Sequence, residues 1–392
     1  MANSMTFEQL STILKTITDQ VTGQTNITPT DTSSFVNVAQ TALSVGYDPI
    51  MSAISQLIAR TVFSIRPYNR KFRNLAVSEE RYGMVTRKIN YADKPFEDDA
   101  SWELEDGESV DMYTINKPSV LQTNFYGAEV YAKSTTVFRE QLNSAFSGPD
   151  QFQQFISGQF QNVNDIIEQA HESMARMTVA NLMGGVLAER LNSPQVVHLL
   201  TEYNTETGQE LTYDQIMGPQ YFSTFWPWVF GRVKDVAAML TERSQIYHFN
   251  IDEKPVLMRH TPYSDQHIYM QQKYFYKTAA QLLPFAFSGE NLSVSDYEGV
   301  NFWQSITSPY QINVTPSVLD VTTGNVKKGA AVNKDHVLGV IFDREAAGMT
   351  TADKWVSTTP MNSKGGYTNT FWHFTDKYWN DFTENVVVFV ID

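Results

Sequence analysis

Seven histidines are the side chains best suited to metal binding or proton transfer in this 392-residue chain. His171-Glu172 begins like the zinc-protease motif His-Glu-x-x-His, but position 175 is Ala, so one metal ligand is missing. His260 and His267 are seven residues apart, which would place them on roughly one face of a helix. Cysteine is absent, which excludes thiolate zinc sites, iron–sulfur clusters and cysteine nucleophiles. We therefore expect the histidines to have structural or surface roles, and we expect no metal site and no cofactor.

The motifs of common enzyme classes are also missing. The chain has no Gly-x-Ser-x-Gly nucleophile turn, and the glycines and lysines of 323–329 do not follow the order of a phosphate-binding loop. Its densest acidic cluster lacks the alternating spacing of a calcium-binding EF-hand loop. The sequence therefore predicts no catalytic residues and a protein that is not an enzyme.

Aromatic residues are concentrated in the segments 225–230, 274–276 and 372–379. Such clusters can stack on sugar rings, or they can fill cores and anchor contacts between proteins. We favour packing, because sugar sites usually add convergent carboxylates and amides that the sequence does not reveal. A carbohydrate-binding or glycoside-acting protein stays an alternative.

The charge balance limits the partners of the chain. Lysine plus arginine total 29 and aspartate plus glutamate total 43, which gives a net charge of -14. This charge argues against a surface built to hold nucleic acid or an anionic membrane. Aromatics make up 13% and charged residues only 18%, which is typical of a folded protein. The longest apolar runs are far shorter than the roughly 20 residues of a membrane helix, and the N-terminal residues do not resemble a secretory signal.

The first 75 residues have the pattern of a helical arm. Apolar spacing predicts helices over 7–21 and 48–62, with a polar loop at 22–34 between them. Alternation then predicts two strands, 82–91 and 120–126, joined as an extended β-hairpin with a long tip.

The hairpin tip is acidic and the segment before it is basic. The acidic candidates for subunit contact are Glu97, Asp98, Asp99, Glu103, Glu105 and Asp106. The basic candidates are Arg60, Arg66, Arg70, Lys71 and Arg73, and the basic stretch continues through Arg81, Arg87 and Lys88. Because a two-stranded ribbon is marginally stable alone, we expect the hairpin to lie on a neighbouring copy, with the acidic tip against its basic stretch.

The strongest helical periodicity begins after Gly148-Pro149, and it predicts one helix over 149–185 that ends near Gly184-Gly185. Further helices are expected at 228–241 and 264–283, and short strands at 255–258, 299–303 and 312–313. A buried strand at 336–343 turns away at 344–348, and strands at 367–374 and 384–391 close the chain.

The sequence therefore predicts an α+β protein with an arm, an acidic-tipped hairpin, one very long helix, an aromatic-rich lobe and closing strands. This order of elements resembles the major capsid proteins of tailed bacteriophages, which have the Hong Kong 97-type fold. The stretch 337–348 is similar to the late strand and turn of many phage head proteins. Phe125-Tyr126-Gly127, leading to the Phe146-Ser-Gly-Pro149 helix start, is similar to a subgroup of them.

The resemblance implies a division into five parts. These are an N-terminal arm at 1–74, an extended loop at 75–135, a peripheral domain at 136–215 with a spine helix at 149–185, an axial domain at 216–335, and return strands at 336–392.

The resemblance also implies a structural protein of the virion, made in the host cytoplasm. It would self-assemble through hexamers and pentamers into an icosahedral head around double-stranded DNA. The short arm implies a separate scaffolding protein or none, and a portal is the other implied partner. The negative charge implies that DNA is held weakly and non-specifically, and no membrane is involved. An encapsulin-like compartment for a cargo enzyme stays an alternative with the same fold.

Overall fold

A computed structural model describes residues 6–23, 28–60, 72–75, 85–92, 104–109, 113, 115, 119–126, 129–254, 256–275 and 297–392. The helices in these ranges are α1 (Phe7–Thr22), α2 (Thr32–Val45), α3 (Tyr47–Arg60), α4 (Arg139–Ala145), α5 (Pro149–Glu189), α6 (Leu199–Thr207), α7 (Tyr213–Ile216) and α8 (Pro219–Met239). The strands are β1 (Val85–Ala92), β2 (Ser119–Tyr126), β3 (Glu129–Phe138), β4 (Val196–His198), β5 (Gln266–Gln271), β6 (Tyr297–Val300), β7 (Ile312–Val314), β8 (Ser317–Leu319), β9 (Val326–Lys328), β10 (Val332–Lys334), β11 (Val337–Asp343), β12 (Ala347–Thr358), β13 (Tyr367–Asn380) and β14 (Val386–Val390). No helix among the described residues is both long and apolar enough to cross a bilayer.

A five-stranded sheet with the order β4-β14-β11-β5-β6 has a core on each face. On β14, Val386, Val388 and Val390 pack in one core, while Val387 and Phe389 pack in the other. Strands buried on both faces have continuous apolar runs, as β11 and β14 do. The two strands predicted from those runs, at 336–343 and 384–391, are confirmed.

A three-stranded antiparallel sheet, β12-β13-β3, is covered on one face. Trp372, Phe374 and Val137 point inward to a third core, which includes α1, α2, α3 and the first half of α5. Two short turns, between β11 and β12 and between β13 and β14, connect this sheet directly to the five-stranded sheet. The predicted strand at 367–374 is confirmed and extends to Asn380.

The long helix predicted after Gly148 is present as α5, which has 41 residues and a length of about 60 Å at 1.5 Å per residue. Pro149 occupies the first turn, where its missing N–H costs nothing. Phe152 and Ile156 lie in the core beneath the three-stranded sheet, while Val179 and Val186 lie in the core beneath the five-stranded sheet. A single helix therefore supports both sheets.

The helix does not end at Gly184-Gly185 as the sequence predicts, but continues to Glu189. A Cβ at Gly184 would overlap Val314, and one at Gly185 would overlap the ring of Phe382. These glycines therefore allow close approach of neighbouring segments, which outweighs their cost of about 1 kcal/mol each in a helix interior.

The two helices predicted in the arm are present as α1 and α3, and a third helix, α2, lies between them. Thr6 caps α1 and Asp31 caps α2, each through a side-chain oxygen that accepts a backbone N–H. Leu14, Ile17 and Phe35 are fully buried against α5 and the three-stranded sheet. These helices share a core with the rest of the chain, and the proposed division into an arm and four further parts stays a prediction.

The helix predicted over 264–283 is wrong at 266–271, which form β5, a strand inside the five-stranded sheet. Residues 272–275 are helical, and residues 276–283 lie outside the described ranges. The buried amides of Gln266 and Gln271 donate to the backbone carbonyls of Ala237 and Pro309, at 2.8 Å and 3.0 Å. Polar side chains can therefore occupy a central strand here. No strand forms at 256–258, while β6 and β7 overlap the strands predicted at 299–303 and 312–313. The helix predicted at 228–241 lies in α8, which begins earlier, at Pro219.

Candidate intersubunit surface

Strands β1 and β2 pair antiparallel over their full length, from Val85 opposite Tyr126 to Ala92 opposite Ser119. The extended hairpin that the alternating pattern predicts is therefore confirmed. Successive side chains in a strand alternate between two faces. We call the face of Arg87, Ile89 and Tyr91 the outer face, and the face of Lys88 and Asn90 the inner face.

The outer face of the hairpin is exposed and partly apolar. Ile89 is 56% exposed and Tyr91 is 71% exposed. Tyr91 is paired with Val120, which is also exposed. Apolar side chains gain free energy when they leave water, about 25 cal/mol for each Å² buried. This face is therefore suited to packing against another protein surface.

Two of the six predicted acidic contact residues lie in a described part of the tip. Glu105 and Asp106 are both exposed and adjacent in one turn, which the Glu108 N–H closes by donating to the Glu105 carbonyl at 3.1 Å. The other four predicted acidic residues lie outside the described residues: Glu97, Asp98, Asp99 and Glu103.

The basic candidates are described only in part. Arg60 ends α3, and Arg73 begins the short 3-10 helix Arg73–Leu75. Arg66, Arg70 and Lys71 lie outside the described residues. The predicted contact between the acidic tip and the basic stretch of a neighbour stays a prediction.

One basic residue of this stretch, Lys88, instead pairs with carboxylates of its own chain. Its Nζ lies 3.0 Å from Asp381 Oδ2 and 2.9 Å from Glu345 Oε2, and it also pairs with Glu384. Arg259 Nη2 lies 2.9 Å from Oε1 of Glu384, the same oxygen that pairs with Lys88. We call these five residues the root cluster, because they fix the base of the hairpin. In the folded subunit, Lys88 is therefore engaged within its own chain, and the intersubunit role of the basic stretch stays a prediction.

Burial and charge act in opposite directions in the root cluster. Burial disfavours the charged form of Lys88, but the carboxylates of Asp381 and Glu384 outweigh burial and raise the pKa of its ammonium. Burial raises the pKa of Glu384 to about 7, although Lys88 and Arg259 pull it down. Lys88 therefore stays charged at neutral pH.

The alternation of the strand could have identified Lys88. Arg87, Ile89 and Tyr91 follow the alternating pattern from which the hairpin is predicted, so Lys88 must lie on the opposite face. Its partners could not be identified in the same way, because Asp381 and Glu384 are almost 300 positions away in the sequence.

The residues considered for chemistry have structural roles. His171 Nε2 lies 3.1 Å from the buried carboxylate of Asp376, which also accepts a hydrogen bond from Tyr131. His267 lies in β5, so it does not share a helix face with His260. The described residues hold no cluster of His, Asp and Glu suited to a metal ion. Phe225 and Trp226 are fully buried in a core, so the aromatic run on α8 forms no open sugar platform.

Comparison with known proteins agrees with the fold described above. Residues 10–205 match the family model of the Phi29-like phage major capsid protein, which is half of the chain. No curated protein sequence matches this chain.

Two solved structures have the same fold at low sequence identity. A chain in the capsid structure of Staphylococcus phage Andhra is 10% identical, with a TM-score of 0.52, over 83% of this chain and 85% of that one. A chain in the structure of the head fiber and inner core protein of native bacteriophage P68 is 11% identical, with a TM-score of 0.52, over 83% of this chain and 86% of that one.

Proposed function

Since this chain belongs to the Phi29-like phage major capsid protein family and is a structural protein of a phage capsid shell, we propose that its copies join through the outer face of the β1–β2 hairpin. The exposed apolar side chains of that face, above all Ile89 and Tyr91, are the observation that carries the proposal. A ribbon of two strands is marginally stable alone. The inner face of this hairpin is held by its own chain, and in this proposal the outer face packs on the neighbouring copy.

The shell would be built from hexamers and pentamers, and the acidic tip would face the basic stretch of the next copy. Glu105 and Asp106 support this proposal, because both are exposed and adjacent in one turn. Exposed ion pairs contribute only about 0–1 kcal/mol each, so they would set the register of the contact more than its strength. Apolar burial would supply the strength.

The proposal also includes DNA, a portal and a scaffolding protein as partners of the shell. The shell would enclose double-stranded DNA, with a portal and a separate scaffolding protein assisting assembly in the host cytoplasm. The net charge of -14 supports weak, non-specific contact with the DNA, because few cations are available to displace its counterions. If purified empty shells retained added DNA at low salt, this part of the proposal would be wrong.

The contact through the outer face can be tested by microscopy of the expressed protein. We expect the unmodified chain to form rings or shells, and the double variant Ile89→Ser/Tyr91→Ser to remain as single subunits that unfold at an unchanged urea concentration. Ile306→Ser is the matched control, because Ile306 is a similarly exposed apolar residue outside the hairpin. Shells of normal yield from the double variant would overturn the proposal.

The proposed contact of the acidic tip is tested separately, by reversing the charge of two of its residues. We expect Glu105→Lys/Asp106→Lys to slow shell formation at low salt, and added salt to reduce the difference from the unmodified chain because salt screens exposed charges. A difference that is independent of salt would contradict an electrostatic role for the tip.

A further inference from the structure

The root cluster lies where the two sheets are connected. Glu345 belongs to the turn between β11 and β12, while Asp381 and Glu384 belong to the turn between β13 and β14. These turns join the five-stranded sheet to the three-stranded sheet. Lys88 therefore links the hairpin to both connections through one ammonium group.

Two of the three carboxylates that receive Lys88 are already held in place. Asp381 Oδ1 accepts the Thr383 N–H at 2.9 Å and its hydroxyl at 2.6 Å, which leaves Oδ2 for Lys88. Glu384 is held by Arg259, whose Nε donates to the Thr383 carbonyl at 3.0 Å. Acceptors that are already held in place make the contact with Lys88 directional, whereas a single exposed ion pair has little directional preference.

The second inner-face contact is less directional. The ring of Phe125 lies 6.4 Å from that of Trp379, in a tilted arrangement. Apolar ring contacts of this kind tolerate sliding better than a hydrogen-bonded ion pair does. Without Lys88, the hairpin would stay attached through Phe125 and through its continuity with β3, but its angle would be less restricted.

We propose that Lys88 is a positioning residue, which couples the angle of the hairpin to the two connections between the sheets. The inference rests on the proposed function, in which the outer face of the hairpin contacts a neighbouring copy. Copies in pentamers and hexamers meet their neighbours at different angles, so a shift between the sheets would be transmitted to the hairpin through the root cluster. The outer face supplies the contact and Lys88 sets its direction.

The first test measures the hairpin in unassembled subunits. The chain has no cysteine, so spin labels can be attached through Glu108→Cys at the tip and Glu210→Cys beside α6, both exposed positions. We expect one narrow distance distribution in the otherwise unmodified chain and a broad one with Lys88→Met, which keeps the side-chain stem and removes the charge. Lys88→Arg should restore the narrow distribution, and Lys364→Met, at an exposed lysine in the turn before β13, should not change it.

Hydrogen exchange provides a second reading of the same variants. We expect amides of β1 and β2 to exchange about tenfold faster in Lys88→Met, which corresponds to about 1.4 kcal/mol of lost protection. Amides of β11 and β14 should be unaffected, which excludes global unfolding as the cause. Unchanged exchange and unchanged distances in Lys88→Met would overturn the inference.

The yield and shape of assembled shells show whether this inference or the proposed function has failed. If Ile89→Ser/Tyr91→Ser forms shells of normal yield, the proposed contact through the outer face is wrong, whatever the spin labels show. If the unmodified chain forms shells and Lys88→Met forms them with the same yield and shape, the positioning role is wrong while the proposed function stands. We expect Lys88→Met to give fewer and misshapen shells, and Lys88→Arg to restore them.

Discussion

The two sheets of this protein are joined directly by two short turns but differ in how they are covered. The five-stranded sheet has an apolar core on each face, and every residue of β14 is buried. The three-stranded sheet packs one face on helices and leaves Val130 and Trp355 exposed on the other. It also encloses a polar group, since Asp376 is fully buried with Tyr131 as a hydrogen-bond donor.

This difference indicates a division of roles within one subunit. A sheet buried on both faces holds the fold together through non-directional apolar contact. A sheet with one open face and a buried polar group depends on fewer, directional interactions, and it presents surface to other molecules. The hairpin continues into β3, an edge strand of the second sheet, so the surface that we propose for assembly adjoins this sheet.

The largest effect is expected in the five-stranded sheet. Phe389→Ala removes a fully buried ring from β14 and should lower the free energy of unfolding by about 4 kcal/mol. Urea unfolding of unassembled subunits measures this loss. The control is Val130→Ala on the open face, which should change stability by at most about 0.5 kcal/mol. Equal losses from the two variants would remove the distinction between the sheets.

The buried polar group should give the next largest effect. Asp376→Ala leaves the Tyr131 hydroxyl and His171 without their buried acceptor, which should cost about 3 kcal/mol. Tyr131→Phe removes only one donor, so a smaller loss is expected from it. If Asp376→Ala unfolded at the same urea concentration as the unmodified chain, the three-stranded sheet would not depend on this group.

The pH dependence of stability tests the ionised state of the same carboxylate. Burial acts to raise the pKa of Asp376, but His171 and Tyr131 outweigh burial and hold the pKa below its ordinary value of 3.8. A lowered pKa means that the stabilisation is complete above pH 3.8 and is lost as the pH falls through the lower value in the folded state. Acid unfolding of the unmodified chain should therefore be steeper below pH 4 than that of Asp376→Asn. Parallel acid limbs would show that the carboxylate is not involved.

The sequence predicts the five-stranded sheet better than the three-stranded sheet because the two sheets are buried to different extents. Strands β11 and β14 are continuous apolar runs, and such runs identify strands buried on both faces. By contrast, β12 and β3 carry threonines and charged residues on a half-open sheet, and neither strand is predicted from its pattern. The helix α2 is missed as well, because two of its four buried apolar residues are alanines, which give a weak periodic signal.

The candidate surface is predicted only as far as local patterns reach. Alternation identifies the hairpin and its two faces, and composition identifies its acidic tip. The root cluster depends on pairing between Lys88 and residues about 290 positions later, which no local pattern reports. The helix predicted over 264–283 also fails for lack of a local signal, because β5 lies within it and contains the polar residues Gln266 and Gln271. Their buried amides find hydrogen-bond acceptors only in distant parts of the folded chain.

The smallest expected effect concerns the open face itself. Trp355 on β12 stacks on His373 of β13, with ring centroids 3.7 Å apart and planes 10° from parallel, yet 47% of Trp355 is exposed. Because an exposed aromatic pair adds only about 1 kcal/mol, Trp355→Ala should cost roughly that much in urea unfolding of subunits. Trp355→Phe is the control, since it keeps an aromatic ring against His373. A loss near 4 kcal/mol from Trp355→Ala would mean that this face supports the fold as strongly as the five-stranded sheet does, because only a residue essential to the subunit core produces so large a loss.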